Sequence, residues 1–241
     1  MTVRILVAMA LPMLWNSWLL PRLRLGVRGR TVANAAFATV YAAGFGVRGC
    51  HGPRRLPDRR SGSRAHVAGE LFWGSLLFCG VTAGYAVALR IPPTRSALSE
   101  LGARGPEVGI FEWVGVHIPI GTVYSEELIF RCSLDALLDE TAGSGGIWLG
   151  AASFGLWHIG PARASGDGVL ATVAATAVGG LALGWLRRRT GGVVAPALLH
   201  LALNAVGAIA SRSARRSVPR FGPQWTGTGA GRSGTAGDNL S

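Results

Sequence analysis

Long apolar runs separated by arginine clusters leave this chain few ways to fold other than as helices in a lipid bilayer. Residues 5–20 read ILVAMALPMLWNSWLL, between Arg4 and Pro21-Arg22, and residues 67–90 read VAGELFWGSLLFCGVTAGYAVALR. Further apolar stretches lie at 109–139, 147–160, 168–186 and 193–210. Backbone polar groups find no water in hydrocarbon, so a crossing segment satisfies them internally, as a helix of about 20 apolar residues. Charged residues make up only 15% of the chain, against about a quarter in soluble domains. The expected fold is all-α, a polytopic transmembrane helical bundle of about six to eight membrane helices.

The net charge of +12 comes from a chain without lysine. Its arginines fall between the apolar blocks (Arg22 to Arg30, Arg54 to Arg64, Arg187 to Arg189) and in the tail, as loop charges do in membrane proteins. This placement argues for membrane lipids as partners and against nucleic acid. The arginine, alanine and glycine bias fits a GC-rich bacterial genome, and the expected location is the bacterial inner membrane, multi-pass. Loop charges are nearly balanced between the two sides, so they do not fix the orientation. Cys50, Cys79 and Cys132 form no C-x-x-C, which excludes zinc-ribbon and dithiol redox motifs. Cys79 and Cys132 read as small buried hydrophobes.

Three regions are expected. Residues 1–66 hold N-terminal membrane segments and a basic loop; the alanine-rich 31–47 either spans or lies at the interface. Residues 67–211 form the core, with Pro92-Pro93 stopping one helix, 91–108 a polar connection, and Pro119 starting or kinking the next helix. Residues 212–241 are basic and then glycine-rich, with almost no aliphatic side chains after Phe221, and read as a disordered tail.

Polar side chains inside the apolar blocks carry the functional signal. Glu126, Glu127 and Arg131 lie in IPIGTVYSEELIFRCSL, His158 in ASFGLWHIG, and His200 with Asn204 in PALLHLALN. A charged group at mid-bilayer costs about 2.5–3.5 kcal/mol on insertion scales, so such groups converge on one another or on a wet cavity. Glu127 and Arg131 share a helix face at i, i+4, as do Phe154 with His158 and His200 with Asn204. Glu126 is rotated by about 100° from Glu127, so one carboxylate pairs with Arg131 while the other faces a cavity. A desolvated glutamate suits general acid–base work. Glu126, His158 and His200 suit Zn2+ with one open position, or hold a water without metal. His200 or Asn204 is placed to donate to an oxyanion.

The order E-E-x-x-x-R, F-x-x-x-H, H-x-x-x-N, here Glu126 to Arg131, Phe154 to His158 and His200 to Asn204, resembles the CPBP family. That family comprises type II CAAX prenyl endopeptidases and bacteriocin-processing or immunity membrane proteins. The resemblance covers about residues 110–205 and implies an intramembrane endopeptidase acting on a membrane-associated peptide or protein. It implies that Glu126 and His158 activate water, that His200 and Asn204 stabilise the oxyanion or the histidines ligate a metal, and that Glu127 and Arg131 support them. Cys132 stands where the family usually has glycine, and residues 1–108 carry no family motif. The eukaryotic prenylated substrate is not carried over. Two other classes compete: a non-catalytic immunity or scaffold protein that kept the pocket, and a small proton-coupled transporter. H-E-x-x-H, a rhomboid-like serine motif and a GxGD-type motif are absent.

Overall fold

The computed structural model describes residues 3–47, 50, 63–103, 105 and 107–216. Most of the expected basic loop and residues 217–241 of the expected tail lie outside the described residues. Within them the chain is helical and contains no strand. The helices are α1 (Val3–Arg22), α2 (Val27–Phe45), α3 (Ser63–Ala88), α4 (Pro92–Ala103), α5 (residues 110–142), α6 (Gly146–Trp157), α7 (Ile159–Ser165), α8 (Val169–Thr190) and α9 (Val194–Arg216).

Four of these are long and apolar enough to cross a membrane: α1, α3, α8 and α9. The expected six to eight is not reached by these criteria, for identifiable reasons. Helix α6 has 12 residues, roughly 18 Å at the α-helical rise and short of a hydrocarbon core. Helix α5 carries Glu126, Glu127 and Arg131 along its middle. Helix α2 runs from Val27 to Phe45, so it starts before 31 and stops short of 47, and it is not among the candidate spans.

Two helices run differently from expectation. Pro92 and Pro93 do not merely end α3; they open α4, because the first helical turn needs no N–H donor. The expected polar connection is therefore a helix packed on the end of α9, with Gly102 so close to the Ser211 carbonyl that a Cβ would not fit. Helix α9 likewise continues through Arg216, past the boundary expected at 212. Pro119 neither starts nor breaks α5. Over Trp113–Tyr124 and again over Glu127–Leu134 the backbone runs in wider i→i+5 turns, an irregularity frequent at functional sites.

The core joins both ends of the sequence. Ile5 and Ala8 of α1 and Ala38 and Tyr41 of α2 pack with Ile129, Phe130 and Leu134 of α5, Phe154 and Trp157 of α6, and Leu183 of α8. Close packing of α6 on α8 depends on glycine: a Cβ on Gly180 would press into the Phe154 ring, and one on Gly155 into the Val173 carbonyl and Ala177. Glu70, buried on α3, accepts a hydrogen bond from the Val194 backbone N–H at 2.8 Å and so caps the start of α9.

The cysteines depart from the buried-hydrophobe reading. Cys132 is bonded to Cys50, which ties the segment after α2 to α5. Cys79 is exposed, because α3 presents most of its surface outward and contributes little to the core.

Candidate active site

Helices α5, α6 and α9 bring their polar side chains to one place. Glu126, Glu127 and Arg131 from α5 and His200 from α9 are all buried. His200 Nδ1 donates to Glu127 Oε1 at 2.8 Å, while His200 Nε2 lies 3.7 Å from Glu126 Oε2. A single imidazole thus stands between two carboxylates. As the rotation between them implies, Glu127 pairs with Arg131 and Glu126 bonds Trp157 instead, yet the two carboxylates share one neighbour. Both reach His200, one at each ring nitrogen, on a stretch where i→i+5 turns reduce the rotation per residue.

Glu127 also faces Arg131, with Oε2 at 3.6 Å from Nε. This ion pair is at the expected i, i+4 spacing but longer than a hydrogen bond. The Arg131 guanidinium lies over the Phe154 ring at 4.6 Å, within cation–π range. Phe154 in turn sits edge-on to His200 at 6.0 Å and tilted against His158 at 4.9 Å. One aromatic ring therefore spaces Arg131, His158 and His200.

His158 and Asn204 are adjacent to this group but do not bond to its carboxylates. His158 terminates α6, and its Nδ1 donates to the Phe154 carbonyl at 2.8 Å. That bond puts the proton on Nδ1 and leaves Nε2 as a lone-pair acceptor when the ring is neutral. Asn204 Nδ2 donates to the His200 carbonyl at 3.1 Å, one turn along α9, which leaves its Oδ1 and second amide proton for other partners.

Trp157 belongs to the site although its sequence neighbourhood gives no motif reason. Its indole Nε1 donates to Glu126 Oε1 at 3.1 Å. Its carbonyl accepts from Asn16 of α1 at 2.8 Å, and its ring is edge-on to Phe130. A buried indole N–H requires an acceptor, and a glutamate one helix away was the available signal. Holding Oε1 leaves Oε2 of Glu126 as the free oxygen, facing His200.

Glu126 Oε2 and His200 Nε2 face each other, but His158 is turned to Phe154 through Nδ1. Among the described residues no group of three His, Cys, Asp or Glu side chains is arranged to hold a metal ion. As arranged, Glu126, His158 and His200 do not fit a zinc ligand set.

Residues 109–206 match the family model described as type II CAAX prenyl endopeptidase Rce1-like. The match contains all seven motif residues, Phe154 included, and supports the resemblance drawn from them. No curated protein matches, and no solved structure matches.

Proposed function

We propose, on the match of residues 109–206 to the Rce1-like family of type II CAAX prenyl endopeptidases, that this chain is an intramembrane endopeptidase in which Glu126 activates the attacking water. It acts from a multi-pass arrangement in the bacterial inner membrane, with more crossings than the four longest apolar helices supply. The observation that carries the reading is the Glu126–His200 gap. Glu126 Oε2 is buried without a hydrogen-bond partner and lies 3.7 Å from His200 Nε2, so one water oxygen can touch both.

Glu126 Oε2 takes a proton from that water as its oxygen attacks the scissile carbonyl carbon. The proton then passes to the leaving nitrogen as the C–N bond breaks. Glu127, bonded to His200 Nδ1, fixes the imidazole so that its other edge borders the reaction space. The second amide proton of Asn204 serves the developing oxyanion, and His200, whose Nδ1–H is committed to Glu127, adds an Nε2–H donor when it is the imidazolium; His158 Nε2 is a second acceptor for the water's protons. Trp157 orients Glu126. The substrate is a membrane-associated peptide or protein.

The test uses purified protein in lipid nanodiscs with a library of lipid-tethered peptides, and mass spectrometry to locate cleavage. Glu126→Gln is expected to abolish cleavage, with the melting temperature held. Unchanged cleavage by that variant would remove Glu126 as the base. A protein that folds yet cleaves nothing, with Glu126 or without it, would favour a scaffold role.

A further inference from the structure

The face of α5 that carries the site does not stop at the site. Glu127, Arg131, Asp135 and Asp139 follow one another at four-residue spacing. Asp139 accepts hydrogen bonds from Arg187 Nη1 at 2.9 Å and Arg188 Nε at 3.0 Å, both on α8. Arg188 Nη1 also lies 3.6 Å from Asp135 Oδ2. Exposure falls steeply along this line. The Asp139 and Arg188 side chains are each 21% exposed, Asp135 is 2% exposed and Arg131 is fully buried. A row of ionic side chains thus descends from an exposed rim to the buried carboxylates.

The lower part of this row is not satisfied by protein. Arg131 Nε, Nη1 and Nη2, Glu127 Oε2, Asp135 Oδ2 and, on the facing helix α6, Ser153 Oγ are buried and have no hydrogen-bond partner among the described residues. A guanidinium buried with all three nitrogens unbonded carries a penalty of several kcal/mol unless something else bonds it. An anionic ligand is disfavoured, because the Glu127 and Asp135 carboxylates, one turn to either side on the same helix, already flank Arg131. A small neutral molecule with both donors and acceptors suits all six atoms, and water is that molecule. The backbone makes room for the carboxylate that would bond it: Asp135 nests between Gly150 of α6 and Gly184 of α8, and a Cβ at Gly150 would collide with that carboxylate.

We propose that bound water forms a file along this face, from the Asp139–Arg188 rim past Asp135 and Arg131 to Glu127, and that it supplies the hydrolytic site. Arg131, Asp135 and Ser153 hold the file as positioning residues. The file itself stands on burial and hydrogen bonding; only its use as a supply line rests on the endopeptidase reading.

X-ray radiolytic hydroxyl labelling of the full chain in nanodiscs tests the file without substrate. Phe130 and Phe154 are buried beside the Arg131 guanidinium, whereas Ile118 is comparably buried in a separate cluster. Prompt labelling of the two phenylalanines, well above Ile118 after correction for intrinsic reactivity, is expected. Labelling no higher than Ile118 overturns the proposal. Asp135→Leu is expected to abolish the excess labelling and Asp135→Asn to retain it, since an amide still bonds water; equal labelling in the two variants also overturns it. Should Asp135→Leu not fold, Gly150→Ala, which displaces the same carboxylate, takes its place. For the supply role, Asp135→Leu is expected to lower kcat about tenfold with KM within about twofold. Loss of labelling with kcat unchanged would overturn the supply role while leaving the endopeptidase assignment intact. Absence of cleavage in the unsubstituted protein would fall on that assignment and not on the file.

Discussion

Replacing Trp157 by phenylalanine isolates one contact on which the proposed chemistry depends. The substitution removes the indole Nε1–H that donates to Glu126 Oε1 at 3.1 Å and keeps an aromatic ring edge-on to Phe130. The Asn16 bond to the Trp157 backbone carbonyl does not involve the ring and survives. A hydrogen bond to a charged group is worth about 1.5–3 kcal/mol. If that interaction holds Glu126 in its reactive orientation, losing it slows the chemical step by on the order of 10- to 150-fold. The expected result with a cleaved peptide is a fall of that size in kcat with little change in KM, since the indole does not meet the substrate. A double-mutant cycle on unfolding with Glu126→Ala is expected to show coupling of about 1 kcal/mol or more. A Trp157→Phe protein with kcat within twofold of the original, or with no coupling to Glu126, would refute the orienting role.

Other parts of the molecule give independent expectations. Glu112, bonded through both oxygens to Arg28 and through one to His117, is held at about 2, below its ordinary 4.5, chiefly by the Arg28 bond. A depressed folded value means stability present above pH 4.5 and lost as the pH falls toward about 2. Glu112→Gln is therefore expected to flatten acid unfolding in that window, and an unchanged acid limb would count against the contact. Gly180→Val drives a side chain into the Phe154 ring and is expected to cost about 1–3 kcal/mol in detergent unfolding. The chain has three cysteines, of which Cys50 and Cys132 are bonded. Alkylation under denaturing conditions should add one label without reductant, at Cys79, and three with it.

How much of this was legible depended on which physical signal dominated locally. Helices α3 and α8 follow their apolar runs closely, because a long hydrophobic stretch satisfies its backbone in only one way in hydrocarbon. Helix α4 was hidden because Pro92-Pro93 reads as a stop, although proline is equally at home in a first turn. At the site, the motif residues announced themselves as costly polar groups, and Glu126, Glu127, Arg131 and His200 do lie together. The partners were harder to read. A uniform α-helical rotation separates Glu126 from Glu127, but wider turns let both meet His200. Trp157 fills an unspecified position of F-x-x-x-H, and its donor matters only once Glu126 is known to be opposite. The Cys50–Cys132 bond spans 82 residues with no spacing pattern to reveal it.

The buried charges also bear on why the chain keeps them. Glu126, Glu127, Arg131 and Asp135 are all nearly inaccessible, and several of their polar atoms are unbonded by protein. Attraction within such a set only partly offsets the cost of taking it out of water, and well-packed apolar side chains of similar volume would serve stability as well or better. The outer charges differ: Asp139 with Arg187 and Arg188 is directly bonded at short range and partly exposed, as a stabilising pair should be. The contrast runs along a single helix face. Ionic groups at the rim have their partners, and those at depth are left with free hydrogen-bonding capacity around one imidazole. Such spare capacity is what a site that must bind water and stabilise a changing charge requires. It is also what ordinary packing would eliminate, so the strain of the arrangement and its chemical use have the same origin.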